Sequence, residues 1–435
     1  MHFLTAWIFI GVSMILADNF GFSPENDGTE NAKSLQNAVD NGGEIRVRVP
    51  GVYDVSEPIA LGDDTALVFE EGVTIRRQPS KSGVNGNAFI NKGLFDGICN
   101  QNIRLIGLRL LCNGVESTGI GKNSRYVGLR AQVGFINVKN LVVDGFECRG
   151  LLAKDYGLQI GNFENIRLEN LFIEGNKDGV HLAIGKNFII RHAKFRTYDD
   201  PIALNAFDYS VSNTHVGWIE NGLIEDCYDL ADDTTTGYFC RILGGSWLPW
   251  FKGMPVHHSD TVCYNGRIYR VVMNPTDGKI YTSNTPPSHE RGYAEYDGIG
   301  WVCTQKGDFL NTGCRNIRFK DIHLQKKRTI AVSIDLNHDT YAHSCYPGSI
   351  PLPQGGFVLE NVYIENEIDR FLRANYPVSD ITIVNTDLKN AKIRFERGAL
   401  DGIEYPNATL TLRNVTNADE NLSSDGVHTF TLIKE

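Results

Sequence analysis

Three aspartates carry the strongest chemical signal in this 435-residue chain. Asp178 lies in NKDGVHLAI, which begins at Asn176, and Asp199 and Asp200 lie in YDDPIALNA, which begins at Tyr198. If both phrases are strands one turn of a coil apart, Val180 and Leu182 point inward. A shift of 22 residues then carries them onto Ile202 and Leu204, which are also apolar. The same shift carries Asp178 onto Asp200, with Asp199 beside it, and places His181 outward next to Ala203. Neighbouring strands lie about 4.8 Å apart, so the three carboxyls crowd one patch of surface. Like charges that close raise at least one pKa, leaving a protonated acid beside an ionised carboxylate. That pair is the equipment of glycoside hydrolysis, in which an acid protonates the leaving oxygen and a carboxylate directs water. Aspartate is also a common turn residue, and Asp63-Asp64 and Asp232-Asp233 repeat the pair elsewhere. The residues alone therefore leave chemistry and a plain turn equally open.

Elements must exist to hold these aspartates in register, and one phrase recurs along the chain: Asn or Gly, alternating apolar residues, a polar turn and a second short strand. It reads NIRLIGLRLLCN from Asn102, NLVVDGFECRG from Asn140, NIRLENLFIEGN from Asn165 and NFIIRHAKFRT from Asn187. It returns from Gly222, Asn316, Gly356 and Asp380, and the nearest starts are 25, 22 and 24 residues apart. Short strands at this period indicate a β-solenoid. Asparagines at its turns suit left-handed backbone angles and can form side-chain ladders between coils. Before the repeats, NAKSLQNAVDNGG puts Leu35, Ala38 and Val39 on one face. It predicts a helix over Asn31 to Asn41 that covers the open end of the coil.

From about Trp247 to Asp308 the phrase is absent and aromatics crowd in, with an Asn-Gly hairpin signal at Asn265-Gly266. The expected organisation is a signal peptide over 1–17, a first β-helical part over 18–246, an inserted β module over 247–308 and a second β-helical part over 309–435. Most of the module's aromatics are read as its own core. Trp247 and Trp250, at its entrance, are read as sugar-stacking platforms.

Phe3 to Leu16 form an apolar run of signal-peptide length with Ala17 as a cleavage position, which points to a secreted or periplasmic protein. The run is too short to span a bilayer comfortably, so no membrane insertion is expected. A net charge of −10 without a basic tract excludes nucleic acid as a partner. The nine cysteines have no metal-binding spacing, and Cys263 with Cys303 is the pair expected to bond. Asp335, Asn337, His338, Asp339 and His343, and separately His257, His258 and Asp260, are read as solvated loops. No metal or cofactor is assigned.

The opening NDGTENAKSLQNAVDNGG with VPGVYDVSEPIAL resembles that of pectin-lyase-like β-helix enzymes. NKDGVH and YDDPIAL resemble the NTDGID and GDDCIAI motifs of polygalacturonase-type glycoside hydrolases. The resemblance implies a right-handed parallel β-helix with Asp199 as general acid and Asp178 and Asp200 holding the attacking water, with inversion. His181 stands where the motif has a second aspartate and Pro201 where it has cysteine. The family's Gly-His-Gly phrase is replaced by TGYFCRILGG, which offers Tyr238 and Arg241. His181, Tyr198, Asn205, Tyr238, Arg241 and Trp247 are the expected substrate-binding residues. Arg241 and His181 would suit a uronate or sulfate group. The reading that results is hydrolysis of an acidic or complex polysaccharide. A Ca²⁺-dependent lyase, or a non-catalytic tailspike- or adhesin-like binder, are the alternatives.

Overall fold

The computed structural model describes residues 14–117, 127–209, 211–234 and 236–435. Twenty-seven strands form one continuous sheet whose pairings are parallel, wound as a right-handed β-helix. Alternation of side chains along each strand puts one set inward, and the coils stack these into columns. One column runs Leu158, Val180, Ile202, Cys240, Val332, Leu372 and Ile393, all buried. Stacked apolar columns of this kind supply the hydrophobic burial that short, isolated strands lack.

Asparagines hold the bends. Asn102, Asn140, Asn165, Asn187, Asn221 and Asn316 all have φ between 56° and 61°. Each donates through its side-chain amide to the equivalent residue one coil earlier, from Asn102 to Asp64 at 2.7 Å through Asn316 to Asn221 at 3.2 Å. Asparagine tolerates the left-handed angle and supplies both a donor and an acceptor for the ladder. At the next coil the position is Gly356, with φ 69°, and the ladder stops.

The N-terminal helix spans Gly28–Val39. It begins three residues before the expected Asn31 because Asp27 caps it, accepting from the backbone N–H groups of Thr29 and Glu30 at 2.9 Å each. Leu35, Ala38 and Val39 are buried, closing the first coil. Met14–Leu16 pair in parallel with Gly43–Val47 as a further strand, and Ala17 is fully buried. Residues 1–13 of the expected signal segment lie outside the described residues. No helix among the described residues is long and apolar enough to cross a membrane.

Between Tyr238–Leu243 and Cys314–Leu324 the chain leaves the main sheet. It forms a five-stranded sheet of Leu248–Pro249, Thr261–Tyr264, Arg267–Val271, Ile299–Lys306 and Gly292–Tyr296. Asn265 and Gly266, with φ 48° and 69°, turn the hairpin between Thr261–Tyr264 and Arg267–Val271. Trp301, Tyr269, Val262 and Ile268 fill the interior, which is continuous with Phe207, Val216 and Tyr346 of the coil loops. Two expectations fail here. Trp247 is 1% exposed, donates from its indole N–H to the Phe309 carbonyl at 2.8 Å and packs on Phe207 and Phe309. It joins segment to coil and presents no face to a sugar. Cys263 and Cys303 are free thiols. The strand Arg267–Val271 separates theirs, a gap of about 10 Å, beyond the roughly 7 Å that a disulfide spans.

Candidate active site

The register places Val180 opposite Ile202, His181 opposite Ala203 and Leu182 opposite Leu204, the 22-residue shift read from the sequence. On the next coil Ala203 faces Arg241. The turns before these strands are stitched by backbone bonds from Gly179 N to Asp200 O at 2.8 Å and Val180 N to Pro201 O at 2.9 Å. Carboxylate oxygens of Asp178, Asp199 and Asp200 consequently lie within 4.8 Å of one another. Asp178 and Asp200 are buried, whereas the Asp199 side chain keeps 28% of its surface exposed.

Lys177 compensates this charge. Its Nζ donates to Asp199 Oδ2 and lies 3.7 Å from Asp178 Oδ1. Burial pushes the Asp178 carboxyl up, but Lys177, His181 and Arg130 outweigh it and bring its pKa to about 2. Asp200 goes the other way. Burial, then the charges of Asp199 and Asp178, raise it well above the usual carboxylate range, against Arg241 and the Tyr238 N–H, which donates to Asp200 Oδ1 at 2.8 Å. Burial works against the Lys177 ammonium, yet Asp178 and Asp199 hold its pKa above the ordinary lysine value. The two buried carboxyls are thus pushed in opposite directions, the division that acid–base chemistry uses.

His181 lies beneath the surface. It is fully buried, its ring stacks on Tyr156 at 4.2 Å, and its Nδ1 hydrogen-bonds Asp178 Oδ2 at 3.3 Å. Its Nε2 is 3.9 Å from Asp208 Oδ2. His181 lies on the outward parity, but the Tyr156 ring stacks on its imidazole, which is buried and bonded to Asp178. Asn205 is also buried and donates to Asp208 Oδ2 at 2.9 Å. Tyr198 stands 46% exposed at the rim, where its carbonyl accepts from Thr236 Oγ1 at 3.1 Å.

Tyr238 and Arg241 lie beside Asp200, joined by residues from later coils. Arg241 Nε lies 3.8 Å from Asp335 Oδ2, and Arg373 Nη2 donates to Asp335 Oδ1 at 2.6 Å. The Arg241 and Arg373 guanidinium carbons sit 6.0 and 5.7 Å from the Tyr238 ring centre. Arg373 follows from the same outward column, Arg241 to Ser333 to Arg373, so continuing the register would have found it. Lys177, beside the first aspartate, carried no positional signal. Lys326 and Arg328 are hidden supports. Buried Lys326 donates to the Thr197 carbonyl at 2.7 Å and to Asp232 Oδ2 at 2.8 Å, and Arg328 holds Asp229 and the Thr236 carbonyl. Together they tie down the turns that carry Tyr198 to Asp200 and Thr236 to Tyr238.

Gly237 completes the approach, with φ 65° and its backbone against Asp199. A Cβ there would lie 2.8 Å from the Asp199 carbonyl carbon. The trio has the spacing of a cation site, and Lys177 Nζ supplies one positive charge there. No family model matches this sequence, and no curated protein does. Among solved structures, a hyperthermoactive exopolygalacturonase from Thermotoga maritima superposes with a TM-score of 0.50 at 13% identity, over 97% of this chain and 92% of that one. The two share the right-handed parallel β-helix fold. The adhesin PfbA of Streptococcus pneumoniae aligns over 97% of both chains at 14% identity, with a TM-score of 0.46. Pre-mature gene product 12 of bacteriophage phi29 aligns at 13% identity and 0.49, over 96% of this chain and 51% of that one. A shared coil does not carry a shared function, so any chemistry must be argued from this chain's own side chains.

Proposed function

We propose that the groove over Asp178, Asp199 and Asp200 hydrolyses a glycosidic bond in an anionic polysaccharide. The observation that carries this reading is the set of three carboxyls within 4.8 Å, in surroundings that hold Asp178 ionised and a proton on Asp200. Asp199, the exposed member, reaches the leaving oxygen, and Asp178 with Asp200 orients water. In the free protein Lys177 is bonded to Asp199. A uronate or sulfate on the substrate competes for Lys177. Arg241 and Arg373 add positive charge on the following coils. Oxygens within 4.8 Å are closer than the roughly 6.5–9.5 Å usual between an inverting pair, so the anomer released decides between inversion and retention.

The test is reducing-end release from polygalacturonate, alginate, chondroitin sulfate and neutral xylan. The Thermotoga exopolygalacturonase shares the fold, which makes galacturonate polymers the first choice. Release from an anionic polymer that Asp199→Asn abolishes supports hydrolysis. Retention of polymer without product supports the second reading, a non-catalytic binder, which the neutralising Lys177 favours. An ultraviolet-absorbing unsaturated product would instead identify a lyase.

A further inference from the structure

A second cluster of ligand-type side chains lies where the inserted segment meets the coil. His257 and Asp260 come from the HHSD turn of the inserted segment. His343 comes from the loop that follows Arg328–Asp335. His343 Nδ1 lies 3.1 Å from Asp260 Oδ1, and His257 Nδ1 lies 3.5 Å from Asp260 Oδ2. One ligand atom from each of the three falls within 4.8 Å of the others. A tetrahedral ion with bonds of about 2.0–2.1 Å sets its ligands roughly 3.4 Å apart, and the 3.1 and 3.5 Å contacts, one to each oxygen of Asp260, bring both imidazoles to the carboxylate at about that range.

A neighbouring histidine adds to the cluster. His338 stacks on His343 with ring centres 4.4 Å apart, and its Nδ1 is buried without a hydrogen-bond partner. A buried ring nitrogen without a partner costs free energy unless something coordinates it. His338 and His343 are held together by a two-residue bridge across their loop, with Asp339 N bonded to Ala342 O at 2.9 Å. Asp260 is itself fixed by the His257 backbone N–H at 2.7 Å, and His257 stays 36% exposed on its side chain, leaving a path for an ion.

We propose that His257, Asp260 and His343 bind one divalent transition-metal ion of the zinc class, with solvent completing its coordination. Imidazole nitrogens with a single carboxylate suit such an ion, whereas Ca²⁺ and Mg²⁺ require mostly oxygen. The ion would fasten the inserted segment to the coil. It would also steady Asn337, whose side-chain oxygen, with the amide oriented to satisfy both neighbours, accepts from Arg241 Nη2 at 3.0 Å. The site thus lies beside the groove and outside the aspartate trio.

The experiment uses the full chain without a histidine tag, stripped by chelator, with Zn²⁺ titrated calorimetrically at neutral pH and Co²⁺ followed by visible absorption. The expected result is one equivalent of Zn²⁺ with proton release, a raised melting temperature and the strong visible bands of four-coordinate Co²⁺. His257→Ala and His343→Ala should each weaken binding by about tenfold or more, while exposed His192→Ala leaves it unchanged. Should either alanine variant lose the wild-type far-ultraviolet spectrum, His257→Gln and His343→Gln, which keep a polar group, take its place. Absence of Zn²⁺ uptake by the wild type overturns the proposal. So does uptake that survives both histidine changes, and so does uptake that Asp199→Asn removes.

Discussion

Lys177 donates its ammonium proton to Asp199 while lying 3.7 Å from Asp178, so one cation serves two carboxylates of the trio. The arrangement places a positive charge among three acids and lowers the Asp178 pKa.

Removing either end of that bond should separate chemistry from structure. Asp199→Asn is expected to reduce hydrolysis by about 10²–10⁴-fold without changing the circular dichroism spectrum. Lys177→Met should raise the Asp178 pKa, read by NMR titration, because its main opposing charge is gone. Asp63→Asn is a suitable control, since Asp63 only accepts from Asn100 and Gln101. Asp232 is not, because it pairs with buried Lys326. Full activity in Asp199→Asn would end the catalytic assignment.

Stability should depend on pH in opposite senses for the two buried acids. Asp178 has a folded pKa below its unfolded value, so its contribution is present above about pH 4 and is lost as pH falls toward about 2. Asp200 is raised, so its contribution is full below about pH 4 and is lost as pH rises through its folded value. In urea unfolding, Asp200→Asn should exceed the wild type at neutral pH, and the difference should vanish in acid. Asp178→Asn should be weaker at neutral pH and converge on the wild type in acid. Parallel curves for all three proteins would contradict these protonation states.

Gly237→Ala should be costly for its size. A Cβ at φ 65° would meet the Asp199 carbonyl carbon at 2.8 Å, so about 1–3 kcal/mol of stability should be lost. Activity should fall as well, because the turn bearing Asp199 and Asp200 must move. A thermal melt and one rate measurement suffice, and an unchanged melt would show that the turn yields freely.

Arg373 is expected to act on substrate and not on chemistry. Arg373→Ala should raise KM for an anionic oligosaccharide by about tenfold while kcat stays within about twofold. A kcat loss with constant KM would place the arginine in the reaction step.

Replacing 247–308 by a short linker should leave the coil folded, because its sheet is separate from the main one. Phe207 and Val216 would lose cover, so amides of 206–216 should exchange faster. Cooperative loss of all strand signal would mean that the segment is integral to the coil.

Where neighbours are set by period, the chain could be read directly. A solenoid turns a sequence separation of about one coil into a lateral contact, so the pairing of Val180 with Ile202, the outward parity of His181 and the asparagine ladder all followed from spacing. The helix was legible from the face shared by Leu35, Ala38 and Val39, though its start required recognising Asp27 as a cap. What spacing could not supply was the reach of long side chains and the covering of surfaces by distant loops. Lys177 bends onto Asp199, and Lys326 and Arg328 brace turns about a hundred residues earlier. Trp247 is sealed by Phe207 and Phe309, and His181 is roofed by Tyr156. Backbone register follows from a local repeat, but side-chain partnership and burial depend on which remote segments pack on top, and only the folded chain decides that.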